Sequence, residues 1–282
     1  MTELLAPVVV QWHVGTDRAM NDQTANALVR NRVLMVYLRG GNGVSPDHLT
    51  ELCKVLTSGG VRVILTIPES LLSRDGHLFE GIRVYVEPDD PEAPVRYGQT
   101  GITGIAISVS EPVVPRLPGI LRQLHRLGYR SVYFPLPRPG ERLPELVKLP
   151  DPDTLKRVSH EMKLLTEDME ITVHDPMLDR LVFGRKTHGG CSAGDTTLFI
   201  QDDCTVSPCP LIPVRFGNLR DTSLEEVFRS EERASMVRKL RAVPEECRTC
   251  EDAENCRGGC RGRAFLLRGD LQSPDPACPA LL

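Results

Sequence analysis

Along the first 135 residues the apolar positions gather into short, nearly continuous β-branched runs, separated by polar or amphipathic stretches. Six runs qualify as strands: residues 8–14, 33–38, 61–67, 82–87, 104–109 and Ser131–Phe134. Unbroken apolar runs of this length are what strands show when both faces of their sheet are covered. The clearest intervening helix begins after Ser45, whose hydroxyl can cap it, has Pro46 in its first turn, and ends at Ser58 before Gly59-Gly60. A second covers residues 116–127 and stops at Gly128. Between the fourth and fifth runs the segment PDDPEAPVRYGQ is full of helix breakers and makes the poorest helix of the series. Strands joined by such crossovers predict a parallel sheet with right-handed connections. The pattern leaves two α/β architectures open, a doubly wound sheet and an open barrel resembling an incomplete eight-stranded one.

Beyond the sixth run, the proline-rich residues 135–153 read as a loop or linker, and residues 153–167 as an amphipathic helix. From residue 189 the composition turns to Cys, Gly, Asp and Arg. A short strand pair is expected at residues 197–201 and 205–206. Thr222 or Ser223 with Glu225 or Glu226 makes a capping box for one helix. A second, over residues 230–243, has Glu231 and Glu232 at its start and Arg238, Lys239 and Arg241 near its end, matching the helix dipole. The expected organisation is a barrel-like domain over 1–150, a connecting helix and linker over 151–188, and a small α+β domain over 189–282.

A chain of 282 residues accommodates one large and one small domain. Its net charge of −4 weighs against non-specific nucleic-acid binding, which needs a basic surface. No apolar run approaches the ~20 residues of a transmembrane helix. The start, MTELLAPVVVQWH, lacks the basic region and cleavage site of a secretory signal. A cytoplasmic protein with no membrane and no nucleic-acid partner is therefore expected.

Cysteine usage changes the picture most. Nine cysteines are present, eight of them from Cys191 onward. In a cytosolic chain, such clustering points to metal ligands rather than disulfides. The core spacing is Cys247-x2-Cys250-x5-Cys256-x3-Cys260, with Cys191 and Cys209 before it and Cys278 after. A tetrahedral zinc would use four of these seven and strand three, so two thiolate-held centres suit the number better than one zinc. One or two structural zinc sites are the alternative. The intervening CRGGCRGRAFLLRGD supplies glycines for close backbone approach and arginines that offset thiolate charge.

These residues resemble the SPASM domain of radical SAM maturases, whose pattern is C-x9-15-G-x4-C, then C-x2-C-x5-C-x3-C, then a final Cys. The resemblance covers residues 189–282. It includes GCSAGDTTLFIQDD, Pro208-Cys209-Pro210, Phe216-Gly217-Asn218-Leu219, CRGGCRG and Asp275-Pro276-x-Cys278-Pro279. It implies a six-stranded partial (β/α) barrel of radical SAM type, followed by a small α+β SPASM domain with two auxiliary 4Fe–4S clusters. By the family's interleaved ligand order, Cys191, Cys209 and Cys260 would hold the first cluster. Cys247, Cys250, Cys256 and Cys278 would hold the second. Cys204 stands where the family usually has glycine, and is either a fourth ligand of the first cluster or a buried thiol in a turn.

Radical SAM enzymes carry C-x3-C-x2-C after the first strand. Here residues 16–24 contain no cysteine, and Cys53, on a helix, reads as a core residue. Neither S-adenosylmethionine use nor independent radical chemistry is expected. After the second strand, where the family has Gly-Gly-Glu-Pro, LRGGNGV puts Asn42 in place of the acid and reads as a glycine turn. Trp12 and His13 end the first strand, and His174, Asp175 and His188 lie near the domain junction. Each alone reads as structural, and no catalytic grouping is assigned. The combination resembles the SPASM-domain companion protein of GeoRSP-type peptide-modification systems. That resemblance implies a complete radical SAM/SPASM enzyme, a ribosomal precursor peptide and a small peptide chaperone as partners, with an accessory redox or substrate-presenting role. Two other readings stay open: an independent redox enzyme using an open iron site, and a structural metal-binding protein.

Overall fold

The structure is a computed structural model, which describes residues 6–41, 43–72, 79, 81–92, 97, 101–140, 142–165, 167–183, 190–278 and 280. Its strands are β1 (Val9–His13), β2 (Met35–Arg39), β3 (Arg62–Pro68), β4 (Arg83–Glu87), β5 (Ile102–Ala106), β6 (Ser131–Phe134), β7 (Glu170–Val173), β8 (Thr197–Ile200), β9 (Thr205–Ser207) and β10 (Gly217–Asn218). They form one sheet in the order β10-β9-β8-β1-β2-β3-β4-β5-β6-β7. From β8 through β7 every neighbouring pair is parallel, while β8–β9 and β9–β10 are antiparallel. The order β1 to β7 never reverses. A doubly wound sheet reverses at a switch point, so this succession is that of a barrel wound in one direction.

The helices follow from local chemistry. In α1 (Arg18–Arg30), Asp17 caps the first turn by accepting from the Met20 N–H. In α2 (Pro46–Ser58), the Ser45 hydroxyl accepts from the His48 N–H, with Pro46 in the first turn. Next come α3 (Leu117–Arg126), α4 (Leu143–Leu146), α5 (Pro152–Leu165) and α6 (Pro176–Phe183). Between β4 and β5 the described residues hold no helix, as the breakers there require. Strand β7 lies in the stretch read from sequence as a connecting helix and linker. Its four residues, Glu-Ile-Thr-Val, are too short and too polar to declare themselves by pattern.

In the C-terminal part, α7 (Leu224–Arg229) carries the full capping box of Ser223 and Glu226, and α8 (Glu231–Arg241) is capped by Ser230. Two more helices, α9 (Ala253–Cys256) and α10 (Arg261–Arg268), border the cysteine loops.

One sheet face packs under the helices. Val10, Trp12, Val36 and Leu38 are buried with Leu28, Leu49, Leu52, Leu121 and Leu124. Each such side chain contributes roughly 1.5–3 kcal/mol on burial. Trp12 is thus a core residue on this side, whereas His13, one position on, faces the other. The register sets Phe199, Gln11, Tyr37 and Ile64 abreast on that inner face.

Candidate metal centre and barrel mouth

Loops at Cys191, Cys209, Cys250 and Cys278, and the ends of α9 and α10, carry most of the cysteines. Cys209 follows β9 in a turn bridged to Ile212, and its thiol meets the backbone N–H groups of Leu211 and Ile212. Cys260 caps α10 through Sγ, which accepts from the Arg263 N–H at 3.5 Å. Cys191 meets the N–H groups of Ala193 and Arg261. Cys191 acts on both of the other thiols. Burial, reinforced by Cys191, pushes Cys209 up to about 12. Burial first, then Asp175 and other charges including Cys191, raises Cys260 well above the ordinary thiol range.

The other four form a second group. Burial raises Cys247, with Cys278, Cys256 and Cys250 adding to it. Burial likewise raises Cys278, with Cys256 contributing. Cys209, Cys247 and Cys260 are buried, whereas Cys191, Cys250, Cys256 and Cys278 are half-buried.

The turn joining the two groups is Arg257-Gly258-Gly259, with φ of 48°, 87° and 73°. A side chain at Gly258 would put Cβ 2.5 Å from Arg261 Nη1, and one at Gly259 would put it 2.7 Å from the Asp275 Cβ. Both glycines are therefore required by space as well as by φ. Arg261 is wholly buried, and its Nη1 reaches only the carbonyls of Arg257 at 3.4 Å and Ser273 at 3.5 Å. Its Nε and Nη2 have no protein partner.

Among the described residues, no three His, Cys, Asp or Glu side chains converge on a single metal ion. The donor set nonetheless fits anionic iron–sulfur clusters. It offers soft thiols in two groups, backbone N–H groups directed at their sulfurs, and a buried guanidinium with unspent donors beside them. Loading such a site requires deprotonated thiols, which burial alone opposes, so metal uptake and thiol ionisation are linked.

Cys204 lies elsewhere. It is buried with φ of 70°, in the left-handed region that favours glycine. Beyond burial, which raises its pKa, the charges acting on it are those of Arg220, Asp17, Asp203 and Asp202, at the opposite end of β9 from Cys209. Cys53 packs in the core of α2, where burial pushes its thiol up to about 12.

At the strands' C-terminal ends is a cavity of about 740 Å³, bordered by Thr16, Gly41, Glu87, Asp89, Arg138 and Asp202. Glu87, in its lining, pairs with the buried Arg39 and accepts a hydrogen bond from Ser108 at 2.9 Å. Burial opposes ionisation of Glu87, but Arg39 and Ser108 outweigh it, and its carboxyl sits below the ordinary value. His13 stacks edge-on against Phe199 at 4.7 Å. Burial, then Arg39 and Arg138, keeps it well below the usual histidine range. Behind this cavity the inner face is filled by Tyr37, Tyr85, Tyr133 and His174. His174 Nδ1 lies 3.1 Å from Gln11 Nε2 and 3.2 Å from Tyr133 Oη, and burial pushes its pKa down to about 4. Only some 20 Å³ of space remains beside Gln11, His13 and Tyr37.

Asp175 has a structural task. Its Oδ1 caps α6 through Met177 and Leu178, and its Oδ2 pairs with Arg263. The sequence reading missed Arg261 and Arg263 as individual residues, because a charged side chain gives no sign in sequence that it will be buried. Asn42, His188 and residue 279 lie outside the described residues. Residues 18–24, where the family's radical-cluster motif would be looked for, are already helix α1.

Comparison with known proteins bears on this arrangement. Residues 191–251 match the SPASM family, an iron–sulfur cluster-binding domain. An AdoMet-dependent heme synthase of Methanosarcina barkeri is 38% identical over 103 residues, covering 33% of this chain and 28% of that protein. The match thus spans little more than a quarter of that relative. The structure of native anSMEcpe with bound AdoMet superposes with a TM-score of 0.65 at 12% identity, covering 97% of this chain and 94% of the other. SuiB of Streptococcus suis gives a TM-score of 0.68 at 13% identity, covering 98% of this chain and 78% of the other. The chain thus has the parallel-sheet α/β fold of radical SAM enzymes that carry a SPASM domain, and its residues 191–251 match the iron–sulfur cluster-binding domain of that name.

Proposed function

We propose that this chain is an accessory protein of a complete radical SAM/SPASM peptide maturase, holding two 4Fe–4S clusters for electron relay beside a substrate-presenting barrel mouth. Cys191, Cys209 and Cys260 hold the first cluster, and Cys247, Cys250, Cys256 and Cys278 the second. The observation that carries the reading is a contrast within one fold. The C-terminal thiols keep two mutually interacting groups, while residues 16–24 hold no thiol and are mostly helix.

When bound, such clusters supply reversible one-electron transfer. The chain's own residues provide the rest. Backbone N–H groups of Leu211, Ile212, Ala193 and Arg261 steady the first group of sulfurs. Cys250, Cys256 and Cys278, half-buried, put the second group within reach of a redox partner. The cavity of about 740 Å³ offers both charge signs, Arg138 against Glu87, Asp89 and Asp202, to the polar backbone of a peptide.

A second reading has its own support. The first group has three thiols, and Cys204 lies at the far end of β9. An iron left open there would let the chain bind a substrate directly as an independent redox enzyme.

The test is anaerobic co-expression with a complete radical SAM/SPASM enzyme from the same organism, its precursor peptide and any small chaperone, followed by pull-down and by measurement of peptide modification. The accessory reading expects a complex, and slower or incomplete modification when the cluster cysteines are replaced. Equal rate and extent without this chain overturns it. A stoichiometric, substrate-induced change in the cluster spectrum of the isolated chain favours the second reading.

A further inference from the structure

A fully buried guanidinium with two unpaired nitrogens is a costly feature, since burying an unmatched charge costs several kcal/mol. Native interiors leave few polar groups without partners, and each exception calls for a cause. Among the described residues, Arg261 is the only arginine with buried nitrogens lacking a partner. Its neighbours among the arginines have side-chain partners of their own. Arg263 pairs with Asp175, Asp275 and the Val147 carbonyl, Arg180 with Asp252 and the Cys256 thiol, and Arg257 with the Glu254 carbonyl.

The Arg261 guanidinium lies beside the turn that joins the two groups, its Nη1 reaching the carbonyl of Arg257, the residue after Cys256. Its charge acts on Cys191 of the first and on Cys247 and Cys256 of the second. Its own backbone N–H meets Cys191. Arg261 opens α10, and its Nη1 packs so closely on Gly258 that a Cβ there would lie 2.5 Å from it.

From this geometry we infer that Arg261 is a positioning residue shared by both clusters, whose single positive charge raises the reduction potential of each. The inference rests on the two-cluster reading and deepens it. Thiolate-held clusters carry net negative charge, and adding an electron to either is opposed by the other. A cation lodged between them offsets part of both penalties, and N–H donation toward sulfur acts in the same direction. The charge matters to both clusters, whereas the fork geometry matters mainly to packing.

The experiment compares the full-length wild type with Arg261→Gln and Arg261→Lys after anaerobic reconstitution. It reads iron and sulfide content, electron paramagnetic resonance and potentiometric titration. In Arg261→Gln, both clusters should become harder to reduce by at least tenfold in equilibrium constant, about 59 mV for one electron. Arg261→Lys should hold both clusters at potentials nearer to wild type. If Arg261→Gln fails to retain clusters, retention by Arg261→Lys still supports a need for the charge. Three results overturn the inference: potentials unchanged in Arg261→Gln, a shift confined to one cluster, or equal loss of clusters in both variants. Wild-type protein that takes up no iron overturns the cluster reading itself and this inference with it.

Discussion

Asp275 Oδ2 accepts two hydrogen bonds at once, from Arg263 Nη1 at 2.7 Å and from the backbone N–H of Cys260 at 2.9 Å. The remaining nitrogens of Arg263 reach Asp175, at the end of β7, and the Val147 carbonyl, 2.6 Å away at the end of α4. Asp275 also bonds the Gly258 carbonyl through its N–H and the Cys278 N–H through its carbonyl. One buried ion group thus ties the loops carrying Cys260 and Cys278 to the parallel part of the sheet. The positions of these cysteine loops and of the barrel are set by the same few atoms.

Arg263→Leu should therefore be severely destabilising. It strands Asp275, which is wholly buried, without its counter-charge. Breaking a buried pair from one side costs on the order of 3–5 kcal/mol. Chemical denaturation of the anaerobic protein measures this, and a loss below about 1 kcal/mol contradicts the role.

Selective cluster loss is the second expectation. Cys209→Ala should remove the first cluster and leave the second, and Cys250→Ala the reverse, because each thiol interacts within its own group. The wild type should carry about eight irons and eight sulfides, as two four-iron clusters imply. Stoichiometric zinc in a colourless solution would sink this expectation.

Cys204 makes a sharper case. Its thiol faces Arg220, Asp17, Asp203 and Asp202, and its backbone is left-handed at φ of 70°. Cys204→Ala should leave both cluster signals unchanged. Cys204→Gly relieves about 1–2 kcal/mol of backbone strain, against the lost packing of a small side chain, so its net effect on stability should be small. Conversion of the first cluster to a three-iron form in Cys204→Ala would reverse this assignment.

How much of this was legible in sequence depends on which physics each residue obeys. Ser45 and Pro46 announced α2 because capping is local, and six apolar runs announced six strands because both sheet faces are buried. The choice between winding patterns was invisible, since strand order depends on which neighbours pair and leaves no trace in periodicity. β7 escaped because its Glu170 serves an ion pair with Arg83 rather than the core. Cysteine spacing revealed a metal centre, but not that Arg261 and Arg263, two residues apart on one helix, take opposite fates. One is fully paired and the other is left with free donors. That distinction arises from partners more than ten residues distant or on other elements.

Acid should weaken the fold through His174. Burial lowers its pKa from 6.5 to about 4, so the unfolded chain takes up a proton at a pH where the folded chain does not. Stability should therefore fall as pH drops through about 6.5 and stop falling for this reason below about 4. The full span is at most about 3–4 kcal/mol, since one pKa unit corresponds to roughly 1.4 kcal/mol. His13, also lowered, should act in the same direction. Replacing His174 with Gln should flatten the dependence of melting temperature on pH between 7 and 5. An unchanged slope in that variant contradicts the assignment.

The last expectation concerns S-adenosylmethionine. Reductive cleavage of that molecule requires a cluster with three thiolates at the barrel mouth, and the segment positioned for it has none. Thr16 borders the cavity, Asp17 caps α1 and pairs with Arg220 at 2.8 Å, and residues 18–24 are helical. Asn21 is buried and donates to the Gly15 carbonyl at 2.8 Å, so this stretch is fastened by its own contacts. The inner face behind it is packed with Tyr37, Tyr133 and His174. The cluster-loaded, dithionite-reduced chain incubated with S-adenosylmethionine should therefore release no 5′-deoxyadenosine above the protein-free control. Chromatographic analysis of the mixture checks this. Repeated turnover by the purified chain alone would mean that an iron site elsewhere in the chain performs the chemistry, with the first, three-thiol group as the place to look for it.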